Sequence, residues 1–223
     1  MTGVVITRGD LRVIAIDGPA GAGKSTIARR LASVLEMEYL DTGAMYRAVT
    51  AAVLLRGVDP ADARAVGDLS RNLVIGIDHD HVTIDGEDVT TFIRSPEVTA
   101  TVSTVAANSL VREQMRAGQR SWGEQRGGGV IEGRDIGTVV FPDAILKVFL
   151  TASPRVRAER RVREAGGDID VIEEQIRERD RKDSSRMDSP LSESADSVMV
   201  DTSNRTIDDV VSTIVDLIRE RQS

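Results

Sequence analysis

The apolar positions of this chain alternate between two periods. Residues 11–17 are apolar at almost every position, the pattern of a parallel strand covered on both faces. From Lys24 to Leu35 the period lengthens, with Ile27, Leu31, Val34 and Leu35 at core spacing, which predicts a helix. Residues 39–41 predict a short strand, and 44–55 a second helix that turns Met45, Val49, Ala52 and Val53 inward. Between residues 60 and 96 the pattern changes to a short helix over 61–73 and three extended pieces, at 74–77, 82–84 and near Val89. Asp85-Gly86 is a strong hairpin signal, so this stretch predicts a small antiparallel meander.

Helices follow at 96–107 and 110–125, interrupted near Asn108-Ser109, and Gly127-Gly128-Gly129 ends the second of them. Strands are expected at 130–132 and 144–150. Pro154 opens a further helix, Gly166-Gly167-Asp168 breaks it, and a long helix is expected over 171–187. A strand at 197–200 and a last helix, started by the capping box of Thr206 and Asp209, complete the order. Such alternation predicts an α/β fold, a five-stranded parallel sheet flanked by helices with its ligand cleft at the strand C-termini. The expected organisation is a core over 11–59, an inserted lobe over 60–100, and the rest of the core over 101–223.

Composition narrows the class. A chain of 223 residues, 40% apolar and 29% charged, is that of a globular protein with a substantial core. It has no cysteine, which excludes disulfides, thiolate metal sites and a cysteine nucleophile and suits the cytoplasm. Met1 to Arg12 has no signal-peptide core, and no apolar run reaches membrane-spanning length. A net charge of −7 argues against nucleic-acid binding through a broad basic surface. Lys24, Lys147 and Lys182 are the only lysines among 29 basic residues. A GC-rich genome accounts for most of that arginine excess; a subset can serve as bidentate grips on phosphate.

The clearest chemistry lies between the first strand and the first helix. Gly18-Pro19-Ala20-Gly21-Ala22-Gly23-Lys24-Ser25, followed by Thr26, reads G-x-x-x-x-G-K-S in the strand, loop and helix context that a phosphate-cradling loop requires. Its glycines let successive N–H groups point at one anion, and the helix adds its positive end. Lys24 would reach the β- and γ-phosphates of a nucleoside triphosphate and Ser25 would ligate Mg²⁺. Arg134-Asp135 stands at the end of a buried strand, where such a fold places reacting ligands. Arg179, Asp183 and Arg186 share one helical stripe, which reads either as a solvent-facing ion-pair ladder or as an anion-binding set. Ser103 and Arg112, on the helices before that strand, show nothing unusual alone. His79 and His81 project from one side of an extended piece with no third ligand nearby, so a solvated turn is expected there.

Four stretches in order, Ile16 to Thr26, Leu40 to Arg47, Gly133 to Asp143, and Arg179 to Asp183 with Arg186, resemble the successive motifs of the bacterial cytidylate kinases. The resemblance runs from about Val13 to Val215. It implies a nucleoside monophosphate kinase fold with a monophosphate-binding lobe and a lid, here about 157–180. It implies transfer of the γ-phosphoryl group of ATP to CMP or dCMP, with ATP as phosphoryl donor, Mg²⁺ as cofactor and small-molecule nucleotides as the partners. Carried over by motif position, Thr42, Arg47, Ser103, Arg112, Arg134, Asp135, Arg179, Asp183 and Arg186 would bind the monophosphate; Lys24, Arg134 and Arg179 would carry catalysis and Gly18 to Thr26 would bind ATP, with Arg157 a candidate for ATP from the lid side. Arg160 and Arg161 are further lid-side candidates. Thr42 replaces the serine common in related chains and keeps the hydroxyl. Another small kinase with the same loop, acting on a different monophosphate or a metabolite, is the alternative. A guanine-nucleotide switch is disfavoured because the chain has neither D-x-x-G nor N-K-x-D. A monomer satisfies every feature of the sequence.

Overall fold

A computed structural model of the chain describes residues 12–78 and 80–222. In chain order the elements are β1 (Arg12–Asp17), α1 (Lys24–Leu35), β2 (Tyr39–Asp41), α2 (Thr42–Leu55), α3 (Ala63–Arg71), β3 (Ile75–Asp78), β4 (His81–Ile84), β5 (Glu87–Asp88), α4 (Pro96–Ala106), α5 (Ser109–Arg126), β6 (Gly128–Gly133), β7 (Leu146–Thr151), α6 (Pro154–Ala165), α7 (Ile169–Ser184), β8 (Val198–Asp201) and α8 (Ile207–Gln222). A 3₁₀ turn lies at Phe92–Arg94 and a π-helical turn at Ile136–Val140. Contacts divide the chain into two compact units, Met1–Leu40 with Trp122–Ser223, and Asp41–Ser121.

The first unit is built on a five-stranded sheet of order β2-β6-β1-β7-β8. β1 is central, parallel to β6 on one side and β7 on the other, and is buried from Val13 to Asp17. That is why its apolar run is unbroken rather than alternating. Ile14, Ile16, Val148 and Leu150 pack with Ile27 and Leu31 of α1 and Ile214 and Ile218 of α8 in one core cluster. The capping box forms as expected: Thr206 Oγ1 accepts from the Asp209 amide at 3.2 Å, and the Asp209 carboxylate accepts from the Thr206 amide at 3.3 Å.

β6 begins at Gly128, two residues before the apolar run, so the glycines lie in the strand as well as before it. The reason is close approach: a Cβ on Gly128 would lie 2.0 Å from the Arg12 carbonyl oxygen, and its φ of +116° is one that side chains avoid. α7 stops at Ser184, so Arg186 lies beyond the helix rather than on its stripe.

The second unit packs Ala44, Ala48, Ala51 and Ala52 of α2 against Val82, Ile84, Val89, Ile93 and Val98. β3, β4 and β5 form the expected antiparallel meander. At its turn Asp85 has φ +52° and its carboxylate accepts from the Val74 amide at 2.9 Å while also pairing with Arg56. Those bonds hold the Asp85 carboxyl below the usual carboxylate range, the Val74 amide being the larger cause. Asn108 explains the helix interruption, since its Oδ1 accepts from the Leu110 amide at 3.0 Å as α5 begins. Among the described residues no helix is long and apolar enough to cross a membrane.

Candidate active site

The glycine loop leaves β1 at Gly18, whose φ is +145° and where a Cβ would stand 2.0 Å from the Leu150 carbonyl oxygen. Only glycine lets the chain cross β7 so closely. The loop ends at Gly23, in the left-handed region as the N-cap of α1. Three of its carbonyls are taken by side-chain donors. Lys24 Nζ donates to Pro19 O at 2.9 Å, Arg157 Nη1 to Ala20 O at 3.1 Å, and Thr202 Oγ1 to Ala22 O at 3.1 Å. Arg160 in turn donates to Thr202 Oγ1 at 3.1 Å and to its carbonyl at 2.6 Å. The loop is therefore held from its carbonyl side, while the first amides of α1, like those of any helix, have no intrahelical acceptor. Lys24 is buried; Ser25 and Thr26 are exposed in the first turn of α1.

Asp17, the last residue of β1, is 5% exposed. Its two carboxylate oxygens accept from the amides of Ile136 and Gly137 at 2.9 and 2.7 Å, which closes the π-helical turn directly after Arg134-Asp135. Burial pushes the Asp17 carboxyl up to about 6 against the pull of those two amides; nearby Asp135 raises it further and Lys24 opposes. Asp135 is buried at the start of that turn.

Arg134 reaches from the end of β6 to α7, its Nε donating to Asp183 Oδ2 at 3.0 Å. Arg186 pairs with the other oxygen of the same carboxylate. Asp183 is 1% exposed; burial works to raise its carboxyl, but the charges of Arg134, Arg186 and Arg179 prevail and hold it below its ordinary value. Asp183 is thus an inward carboxylate among three guanidinium groups, Arg179 from its own helix, Arg186 from beyond the helix end and Arg134 from the end of β6. The solvent-facing ladder exists on other residues of α7, where Glu173, Glu174 and Glu178 pair with Arg177, Arg181 and Lys182.

In the second unit Asp41 caps α2 by accepting from the Ala44 amide at 3.0 Å, and Thr42 is buried in the first turn of that helix. Arg47, also on α2, donates to Ile93 O at 2.9 Å and Thr99 Oγ1 at 3.0 Å. Ser103 is half-buried on α4. Arg112 is 1% exposed, lies over the Tyr46 ring at 5.4 Å and donates to Ala106 O at 3.2 Å. Burial of so polar a side chain on a plain helix has no local signal.

Sequence reasoning passed over Asp17, Asp180 and Thr202. A carboxylate ending an apolar strand beside a glycine loop was the available signal for Asp17; the other two have none. Among the described residues no group of three or more His, Asp or Glu could hold a metal, and His81 is an exposed residue 3.8 Å from Asp88. His79 lies outside the described residues.

The family model for cytidylate kinase matches residues 14–220. The cytidylate kinase of Mycobacterium leprae (strain Br4923) is 48% identical over 214 residues, which cover 94% of this chain and 96% of that protein. The bifunctional pantoate ligase/cytidylate kinase of Prochlorococcus marinus (strain MIT 9313) is 50% identical over 218 residues, 93% of this chain and 43% of that protein. Among solved structures, a gluconokinase from Sinorhizobium meliloti 1021 superposes with a TM-score of 0.51 at 15% identity, over 96% of this chain and 94% of the other, which is a likeness of fold.

Proposed function

The chain belongs to the cytidylate kinase family, and on that premise we propose that its reaction is carried by the glycine loop and Lys24 together with the arginines gathered around Asp183. It is an ATP-dependent nucleoside monophosphate kinase that transfers the γ-phosphoryl group of ATP to CMP or dCMP, giving CDP or dCDP and ADP. An oxygen of the acceptor phosphate attacks the γ-phosphorus, and the bond to the β,γ-bridging oxygen breaks, its electron pair leaving on ADP. That acceptor oxygen is already ionised near neutral pH, so the protein has no proton to remove. Positioning and charge neutralisation carry the catalysis. The observation that supports this reading most is the link from β1 to β6: Asp17 leads into the phosphate loop and closes the turn beside Arg134-Asp135.

Gly18 to Thr26 would hold the ATP phosphates through backbone amides, with Lys24 on the β- and γ-phosphates. Arg134 and Arg179 would neutralise the transferring group, with Arg134 aimed by Asp183. Thr42 and Arg47 would serve the acceptor phosphate. Asp135, with Ser103, would accept from the exocyclic amino group of cytosine, where uracil presents a carbonyl that a carboxylate repels. Arg112 and Arg186 would donate to the ring acceptors. The exposed Ser25 hydroxyl fits Mg²⁺, which keeps several waters and takes few protein ligands; bound there with ATP it would neutralise β- and γ-phosphate charge. The cysteine-free composition suits a cytoplasmic enzyme, and we take the working form to be the monomer.

The test is a coupled assay of ADP release with Mg·ATP and each of CMP, dCMP, UMP, AMP, GMP and TMP. Turnover confined to CMP and dCMP is expected. Asp135→Ala should then cost CMP about 10²-fold in kcat/KM, the worth of a hydrogen bond to a charged group, and UMP far less. Equal losses for both would remove Asp135 from base discrimination.

A further inference from the structure

We infer that Arg157 and Asp180 form a positioning pair that shapes the phosphate loop from its carbonyl side and ties it to α7. The inference rests on the kinase reading above and extends it to two residues that act through the loop.

Arg157, on α6, is 3% exposed. Its Nε donates to Ala152 O at 2.9 Å and its Nη1 to Ala20 O at 3.1 Å. Nη1 and Nη2 also grip the Asp180 carboxylate, at 3.1 Å to Oδ1 and 2.6 Å to Oδ2. A guanidinium has five N–H donors, so these bonds leave one. The stem of the side chain lies against the loop as well, since a Cβ on Gly21 would meet Arg157 Cβ at 3.3 Å. Head and stem together fix Ala20 and Gly21 from behind. Donors committed to protein acceptors act on ATP only through the loop they hold.

Asp180 gives the pair its second function. It follows Arg179 directly in α7 and precedes Asp183 by one helical turn. The fork-to-fork geometry of the pair transmits both distance and orientation, so a shift of α7 around its acceptor-side residues is passed to Ala20. Phosphoryl transfer depends on in-line placement, and a displacement of about 1 Å can cost about 10²-fold. The pair thereby couples acceptor binding at α7 to the shape of the donor loop, a coupling that must be reciprocal.

The experiment compares wild type, Asp180→Asn, Asp180→Glu and Arg157→Lys at 25 °C. Steady-state kinetics are measured against ATP and CMP, thermal unfolding is followed separately, and a non-hydrolysable ATP analogue is titrated with and without CMP. Asp180→Asn keeps the volume but loses the charge; it should lower kcat and kcat/KM together by about 10-fold or more, the signature of an interaction realised in the transition state. Asp180→Glu, which keeps the charge, should recover part of that loss. CMP should tighten the analogue in the wild type, and that effect should shrink toward none in Asp180→Asn and Arg157→Lys. A variant that melts earlier yet keeps kcat and both KM values within twofold would reduce the pair to a structural brace and overturn the inference. So would analogue binding weakened by Arg157→Lys alone with kcat intact in Asp180→Asn, which is the mark of a direct nucleotide contact. Should CMP fail to react in the wild type, the kinase assignment fails, while the analogue titration repeated with the monophosphate that does react still decides the pair.

Discussion

Removing the Asp183 carboxylate offers the sharpest test of the arginine cluster. Asp183 is 1% exposed, and its side chain is bonded to Arg134 at 3.0 Å and paired with Arg186, whose side chains are 19% and 9% exposed. Asp183→Ala leaves those two guanidinium groups and Arg179 facing one another with their anion gone. Breaking a buried pair from one side costs about 3–5 kcal/mol. In a chain of this size that corresponds to a melting temperature lower by about 10 °C. Asp183→Asn keeps the shape and one acceptor oxygen, so its cost should be about half as large. The pH dependence has a definite sign. The folded carboxyl is held below its ordinary 3.8, so its contribution is fully present above that value and is lost as pH falls through the folded pKa. The stability difference between wild type and Asp183→Asn should therefore be flat from about pH 7 to pH 5 and shrink below about pH 4. Thermal unfolding across that range, paired with turnover of CMP, measures both. Asp183→Ala melting within about 2 °C of wild type would mean that solvent or other anions replace the carboxylate, and the buried-cluster account would be wrong.

Two further predictions concern the root of the phosphate loop. Gly18→Ala should be destabilised by about 3 kcal/mol or more and lose ATP turnover, because the added methyl meets a backbone carbonyl of β7 at 2.0 Å and the residue sits at φ +145°; native-like melting and activity would show that the strand and loop can part without cost. At Asp17 the folded pKa is raised from 3.8 to about 6, a shift worth about 3 kcal/mol, so its contribution is full below the unfolded value and lost as pH rises through about 6. The stability of wild type against urea should accordingly fall relative to Asp17→Asn between about pH 4 and pH 6.5, and parallel curves for the two proteins would contradict the burial of that charge.

The chain states in its own order whatever rests on neighbours. β1, the glycine loop and the start of α1 follow from an apolar run, a glycine spacing and a helical period within twenty residues. The Asp85-Gly86 turn and the Thr206–Asp209 capping box are equally local, since a turn or a cap is decided by bonds spanning a few residues. The sequence by itself therefore determined the α/β order, the meander and the phosphate loop. Tertiary structure decided which charges are buried and what they hold. Asp17 meets Ile136 and Gly137 across 119 and 120 residues, and Arg157 meets Ala20 across 137. The same holds for β6, whose Gly128 and Gly129 lie inside the strand where an added Cβ would stand 2.0 Å from the Arg12 carbonyl oxygen and 2.8 Å from that of Glu38. On α7 the spacing left Arg179, Asp183 and Arg186 open to a solvent-facing ladder or an anion-binding set; only packing made Asp183 an inward anion at 1% exposure, while Glu178 of the same helix stands in solvent-facing pairs. Periodicity and capping are read over one or two turns of chain, whereas the cost of burying a charge depends on groups brought beside it from distant segments.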